Sequence, residues 1–114
     1  MNILSIGGSD PSSGAGIQSD VKTLSSFNVH GLTVITAITG QNTTRFGMIE
    51  PVSKKMLEDQ IQTVMSDFKI DGVKIGMVYN SQIIRIIYQQ LKKLKVPIIV
   101  DPIIKSDITV CIWS

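Results

Sequence analysis

A three-layer α/β fold around a mostly parallel sheet is what the sequence predicts, on three observations. Short apolar and β-branched runs alternate along the chain with amphipathic segments of helical period. A glycine-rich bend, from Gly7 to Gly16, joins the first apolar run to the first helical segment. Polar residues follow each run: the loop after Gly7, then Gly40-Gln41-Asn42, then Gly76-Met77, then Asp101-Pro102. On a parallel sheet those four places converge on one rim beyond the carboxyl ends of the strands, where ligands of such folds bind.

Ile3 to Ile6 forms the first strand. In the bend that follows, Gly7, Gly8, Gly14 and Gly16 permit close approaches, while Ser9, Asp10, Ser12, Ser13 and Asp20 crowd polar groups around it. Ile17, Val21 and Leu24 recur at helical spacing with polar residues between them, so a helix lies on the sheet until Asn28 to Gly31 breaks it. Leu32 to Ile38 reads as a buried second strand parallel to the first, followed by a polar loop from Thr39 to Gly47. A second helix runs from Ser53 to Phe68, because Met56, Leu57, Ile61, Val64, Met65 and Phe68 share one stripe and Pro51 stands upstream as a breaker. Val73 to Ile75 makes the third strand. Asn80 or Ser81 caps a third helix that turns Ile83, Ile84, Ile87, Leu91 and Leu94 inward and gathers Lys92, Lys93 and Lys95 near its negative end. Ile98 to Val100 is the fourth strand, and right-handed crossovers join the units.

The chain has 114 residues, 43% hydrophobic and 18% charged, the composition of one soluble globular domain with a single core. A net charge of +2, with Lys54-Lys55 and Lys92-Lys93 as isolated pairs, gives no basic patch for nucleic acid. Apolar runs are too short and interrupted to indicate secretion or a membrane span, so the cytoplasm is the expected compartment. Cys111 has no second cysteine to pair with, which excludes an intramolecular disulfide and a cysteine metal site. His30, the only histidine, stands beside Gly31 in an expected turn, where a surface or capping role is assigned to it and no histidine triad can form.

Two familiar glycine loops do not fit the bend. A mononucleotide P-loop needs four residues between its glycines and then Lys-Ser/Thr, whereas five separate Gly8 from Gly14 and Ala15 follows. A dinucleotide fingerprint starting at Gly14-Ala15-Gly16 needs a third glycine where Ser19 stands. An ordinary strand-to-helix turn with extra glycines stays open as the plain alternative.

Four ordered segments then carry a resemblance: Gly8-Ser9-Asp10-Pro11 with Gly14-Ala15-Gly16-Ile17-Gln18-Ser19-Asp20; Thr36-Ala37-Ile38 with Gln41-Asn42-Thr43; Lys74-Ile75-Gly76-Met77; and Val100-Asp101-Pro102. Together, from about Ile3 to Ile104, they resemble the hydroxymethylpyrimidine and phosphomethylpyrimidine kinases of thiamine biosynthesis, in the ribokinase-like group that also contains pyridoxal kinases. The resemblance implies a ribokinase-like three-layer fold and transfer of the γ-phosphoryl group of MgATP to an aminopyrimidine's hydroxymethyl group, then to the monophosphate. By family match Gln41 faces the pyrimidine, its planar amide pairing with an exocyclic amine and the adjacent ring nitrogen, with loop capping as its plain alternative. Asp20 resembles the family's acidic pocket residue and accepts from a substrate donor, or is simply a solvated helix carboxylate. Gly8 and Met77 match positions lining the same pocket, where glycine allows close contact and a thioether packs on a ring, although Met77 alone reads as core. Asp101 matches a family aspartate near phosphates and Mg²⁺, although Asp-Pro is also a common loop starter.

The family's later motifs, an Asn-x-x-Glu segment and a Gly-Thr-Gly anion hole with its adjacent catalytic residue, do not occur in these 114 residues. From Ser106 the sequence ceases to resemble the family, so residues 1–105 are expected to be the substrate-side part of a kinase domain and 106–114 a divergent tail. No catalytic residue and no metal ligand set is assigned on that basis. The alternatives are a noncatalytic fragment or pyrimidine-binding module, and a kinase whose acceptor is pyridoxal or pyridoxine; Gln41 leans against the latter. A sheet lacking its second half exposes an edge and an apolar face, which predicts self-association.

Overall fold

The computed structural model describes residues 1–101; the expected boundary at 105, the tail from 106 and Cys111 lie outside the described residues. The elements run β1 (Asn2–Ser9), α1 (Gly16–Ser26), β2 (His30–Gln41), β3 (Phe46–Pro51), α2 (Lys54–Asp67), β4 (Gly72–Ile75), α3 (Ser81–Leu91) and β5 (Ile98–Val100). They form a five-stranded sheet in the order β3-β2-β1-β4-β5. β1 pairs in parallel with β2 and β4, and β4 with β5, while β3 returns antiparallel to β2.

Central strand β1 is buried from Leu4 through Gly8, which is why its sequence reads as a continuous apolar run. Its two faces carry different layers. Leu4 and Ile6 join Leu57 and Ile61 of α2 and Ile83, Ile87 and Leu91 of α3 in the main core. Ser5 and Gly7 look toward α1, where Ser5 bonds Asp20 and a Cβ at Gly7 would sit 3.7 Å from Ile17. The three-layer arrangement follows, with α1 the one described helix on that face. Each of the fully buried aliphatic side chains Leu4, Ile6, Leu57 and Ile61 contributes about 2 kcal/mol of transfer free energy to it.

The expected polar loop from Thr39 to Gly47 is instead a β-hairpin: β2 continues to Gln41, and Phe46 begins the return strand. Polar residues mislead there because the hairpin is an edge with a wet face. Its turn is tied by Asn42, whose Oδ1 accepts from the backbone N–H of Thr44 and Arg45 at 2.9 and 2.8 Å. A Cβ at Gly47 would lie 2.7 Å from the Gly40 carbonyl, so glycine permits the two strands to meet. His30 likewise sits in no turn: it opens β2, its N–H bonded to the Met1 carbonyl, and its exposed ring stands edge-on to Phe68 at 5.5 Å.

The helices follow their expected ranges closely. Asn80 caps α3 by accepting from the Ile83 N–H at 2.9 Å, and Ser53 caps α2 through the Met56 N–H at 3.1 Å. Met56 departs from the expected stripe at 52% exposure, and Ile86, not foreseen, is buried. Met56 stands in the first turn of α2, where the stripe runs off the core, whereas Ile86 in the middle of α3 widens the buried face beside Ile83 and Ile87.

Within β2 a bulge resets the pleat. Gly7 pairs with Ile35 but Gly8 with Ala37, leaving Thr36 as the extra residue. Gln60 of α2 covers the gap, its Oε1 accepting from the Ile35 N–H at 2.8 Å and its Nε2 donating to the Ile35 carbonyl at 2.9 Å. Thr36 donates to the Met77 carbonyl at 2.7 Å, tying β2 to the segment after β4. Past the bulge, Ala37 and Thr39 are buried toward the strand ends where the polar loops gather.

Candidate functional site

The bend between β1 and α1 is built around Asp10, which is only 4% exposed. Its Oδ1 accepts from the Ser12 N–H at 2.9 Å and the Ser12 hydroxyl at 2.7 Å, and its Oδ2 from the Ala15 N–H at 2.8 Å. Burial opposes the charge on Asp10, but these bonds from Ser12 and Ala15 outweigh it and hold the carboxyl below the usual carboxylate range. Gln18 closes the other side, accepting from the Asp10 N–H at 2.8 Å and donating to the Ser9 hydroxyl at 2.7 Å. Ala15, the helix N-cap, offers no side-chain oxygen, so Asp10 supplies the anion that the positive end of α1 favours. The glycine bend is therefore already occupied by its own carboxylate, which explains physically why it matches neither phosphate-binding loop.

Two glycines here face close contacts, and only Gly16 strictly needs to be glycine. Gly16 has φ +66°, and a Cβ on it would lie 2.5 Å from the Gly8 carbonyl. A Cβ on Gly8 would collide with the terminal methyl of Met77, so these two residues touch as expected for walls of one pocket. Met77 is also buried against Ala37, so its core role and its place beside the pocket coexist.

Gln41 ends β2 opposite Phe46 of β3. The Thr39 hydroxyl lies 2.7 Å from the Ser9 carbonyl and 3.1 Å from Gln41 Oε1, sharing its proton between them and fastening the hairpin to the bend. At the far end of the same rim stand three charges. Asp20 Oδ1 accepts from Lys74 Nζ at 2.6 Å, Asp20 Oδ2 accepts from the Ser5 hydroxyl at 2.7 Å, and Asp101 Oδ2 lies 3.8 Å from the same ammonium. Asp20 is thus no solvated helix carboxylate. Asp101 is 69% exposed, and its N–H bonds the Ile75 carbonyl at 2.8 Å, so its backbone is fixed while its side chain is loosely held.

All five residues singled out in the sequence, Gly8, Asp20, Gln41, Met77 and Asp101, line one cleft of about 460 Å³. That volume suits a small heterocycle with room to spare. The cleft has an amide and aromatic end, at Gln41, Phe46 and Met77, and a charged end, at Asp20, Lys74 and Asp101. Phe46 and Lys74 also line it, although the sequence alone assigns neither a role. Phe46 lies in a segment whose polar residues read as a loop. Lys74 was legible in principle, because a lysine between Val73 and Ile75 in a strand flanked by others demands a buried partner. Among the described residues, no group of three or more His, Cys, Asp or Glu side chains is placed to hold a metal ion. No described helix is long and apolar enough to cross a membrane.

The profile described as phosphomethylpyrimidine kinase matches residues 10–110. A hydroxymethylpyrimidine/phosphomethylpyrimidine kinase of Aquifex aeolicus is 39% identical over 93% of this chain and 42% of its own length; one of Rhizobium meliloti is 45% identical over 88% and 38%. Among solved structures, the phosphomethylpyrimidine kinase of Clostridium difficile 630 superposes with a TM-score of 0.88 at 44% identity, over 94% of this chain and 47% of that one. A pyridoxal kinase of Staphylococcus aureus, solved with AMP-PCP and pyridoxal, superposes at 0.78 with 29% identity over 88% of this chain and 38% of that one. The chain spans less than half the length of each of these relatives. With a ribokinase-like fold and a match covering most of its residues, it belongs to the phosphomethylpyrimidine kinase family.

Proposed function

We propose that the cleft holds the aminopyrimidine of a phosphoryl-transfer reaction, in which MgATP phosphorylates 4-amino-5-hydroxymethyl-2-methylpyrimidine and then its monophosphate. This chain supplies the substrate-side part of that kinase. The observation that carries the reading is the shared cleft of Gln41 and the glycine bend, with Met77 and Phe46 beside them to pack on a flat ring. Gln41 pairs with the amine and ring nitrogen, and Asp20, held from behind by Ser5 and Lys74, keeps a further lone pair for the second amine hydrogen or the hydroxymethyl O–H. ATP supplies the phosphoryl group. Its Mg²⁺ keeps most of its waters and phosphate ligands and needs only one or two carboxylates, a role that the exposed Asp101 fits. A cytoplasmic setting accords with the single cysteine.

Calorimetry with 4-amino-5-hydroxymethyl-2-methylpyrimidine tests the reading. Gln41→Ala is expected to weaken binding by roughly 1–3 kcal/mol, about five- to 150-fold, since a ring edge is left unpaired. No binding by the folded wild-type chain would overturn it.

One observation favours another reading. Likeness to pyridoxal kinases supports pyridoxal as acceptor, and direct competition between pyridoxal and the pyrimidine decides between them.

A further inference from the structure

Among the described residues, Lys74 is the one cation lining the cleft, and it does not stand alone. It leaves β4 on the face turned to α1, 2.6 Å from Asp20, whose second oxygen is held by Ser5 of β1 at 2.7 Å. Three separate elements therefore fix one carboxylate. The pair is largely shielded, with Lys74 29% and Asp20 20% exposed. Of the remaining charges that line the cleft, Asp10 spends its carboxylate inside the bend, and Asp101 lies 3.8 Å from Lys74 and mostly in solvent. An unpaired carboxylate at Asp20 would draw any cationic ring into the cleft, because a half-shielded charge attracts its opposite more strongly than it does in water. With Lys74 in contact, the pair is neutral and keeps only hydrogen-bond acceptance.

We propose that Lys74 is a specificity-determining positioning residue: it neutralises Asp20 in place, so that the cleft favours an uncharged aminopyrimidine over a positively charged heterocycle. The proposal rests on the reading of the cleft as a heterocycle site. It goes further by assigning discrimination between charge states of the ring to a residue that need not touch it.

The experiment compares two ligands and one small cation. Calorimetry gives the affinity ratio of 4-amino-5-hydroxymethyl-2-methylpyrimidine to its N1-methylated pyrimidinium ion, for wild type, Lys74→Met, Lys74→Arg and the Lys74→Met/Asp20→Asn double variant. The ratio is expected to move toward the cation by about tenfold or more in Lys74→Met, to stay near wild type in Lys74→Arg, and to return in the double variant. Any steric effect of the added methyl cancels in the comparison between variants. In parallel, methylammonium is titrated against Lys74→Ala without heterocycle. Saturable shifts of the Ser5 and Asp20 amide resonances are expected in Lys74→Ala, and none in wild type or Lys74→Ala/Asp20→Asn. An unchanged ratio in Lys74→Met, or a Lys74→Ala protein that is folded by its amide spectrum yet ignores methylammonium, overturns the proposal. Should wild type bind neither heterocycle, the pyrimidine reading fails and methylammonium alone decides the role of Lys74. If Lys74→Ala does not fold, Lys74→Gln replaces it, with the same two outcomes.

Discussion

The bend between β1 and α1 lines the cleft and the outer strand β5 leads to it through Asp101, yet one is closed by its own chain and the other, among the described residues, is bare. In the bend, Asp10, Ser12, Ala15, Gln18 and Ser9 satisfy one another within ten residues of sequence. At β5, Ile98, Ile99 and Val100 are all exposed, and among the described residues no strand pairs with the outer edge. Ile98 and Val100 join Ile84, Tyr88 and Leu94 in an apolar groove of about 400 Å³ on the α3 side, while Ile99, 65% exposed, lies on the α1 side. The end of the cleft that would grip a ring is thus organised locally, whereas the end nearest Asp101 depends on apolar cover that the described residues do not supply.

If the bend is as self-sufficient as its bonds imply, disturbing its tightest point must cost the most. Gly16→Ala forces a Cβ into a left-handed conformation 2.5 Å from the Gly8 carbonyl. A loss of about 3 kcal/mol is expected from strain plus a backbone clash, seen as a lower urea midpoint. A loss below about 1 kcal/mol would mean that the bend rearranges cheaply, and the contrast with β5 would collapse.

The bare strand yields the opposite experiment, since its defect is intermolecular. Wild type is expected to self-associate through the β5 edge, and Ile99→Lys to weaken that association by about tenfold while leaving the unfolding midpoint nearly unchanged. Sedimentation across a wide concentration range reads both. A clean wild-type monomer would show that β5 needs no partner.

Between these lies Gly8→Ala, where the obstacle is the flexible tip of Met77. Stability is expected to fall by only about 1 kcal/mol, because a thioether can move aside. Pyrimidine affinity is expected to fall further, by about tenfold, because Met77 then moves within the cleft that both residues line. Equal losses in stability and binding would make Gly8 a packing residue.

Which parts of this contrast were legible in the sequence follows from how local each signal is. Helices α2 and α3 announced themselves by stripe and cap within a single window, and Asn80 caps as read. The candidate residues came from four separated segments, and a parallel sheet with its loops on one rim is enough to bring Gly8, Asp20, Gln41, Met77 and Asp101 to one cleft. What failed was anything decided by a partner elsewhere. The Thr39–Gly47 stretch looks like a loop until Phe46 pairs with Gln41, and the bulge at Thr36 leaves Ile35 groups that Gln60 of α2 satisfies from 25 residues away. Lys74 has no role legible in its own segment, since its meaning depends on Asp20, 54 residues away.

The smallest effect tests whether the closure of the bend is electrostatic or merely a matter of shape. Asp10 is held below the usual carboxylate range in the folded chain, so the folded state binds its proton less readily than the unfolded one. The stability this contributes is complete above the unfolded carboxyl's ordinary range and is lost as pH falls through the lower folded value. Asp10→Asn keeps the outline but turns an amide nitrogen toward either Ser12 or Ala15, whose N–H groups need an acceptor. The gap in urea midpoint between wild type and Asp10→Asn should therefore be constant near neutrality and narrow in acid, while every other carboxylate cancels in the difference. A gap that stays constant through the acid range would assign the role of Asp10 to the shape of the acceptor alone, and the anion at the start of α1 would count for nothing in keeping that end of the cleft closed.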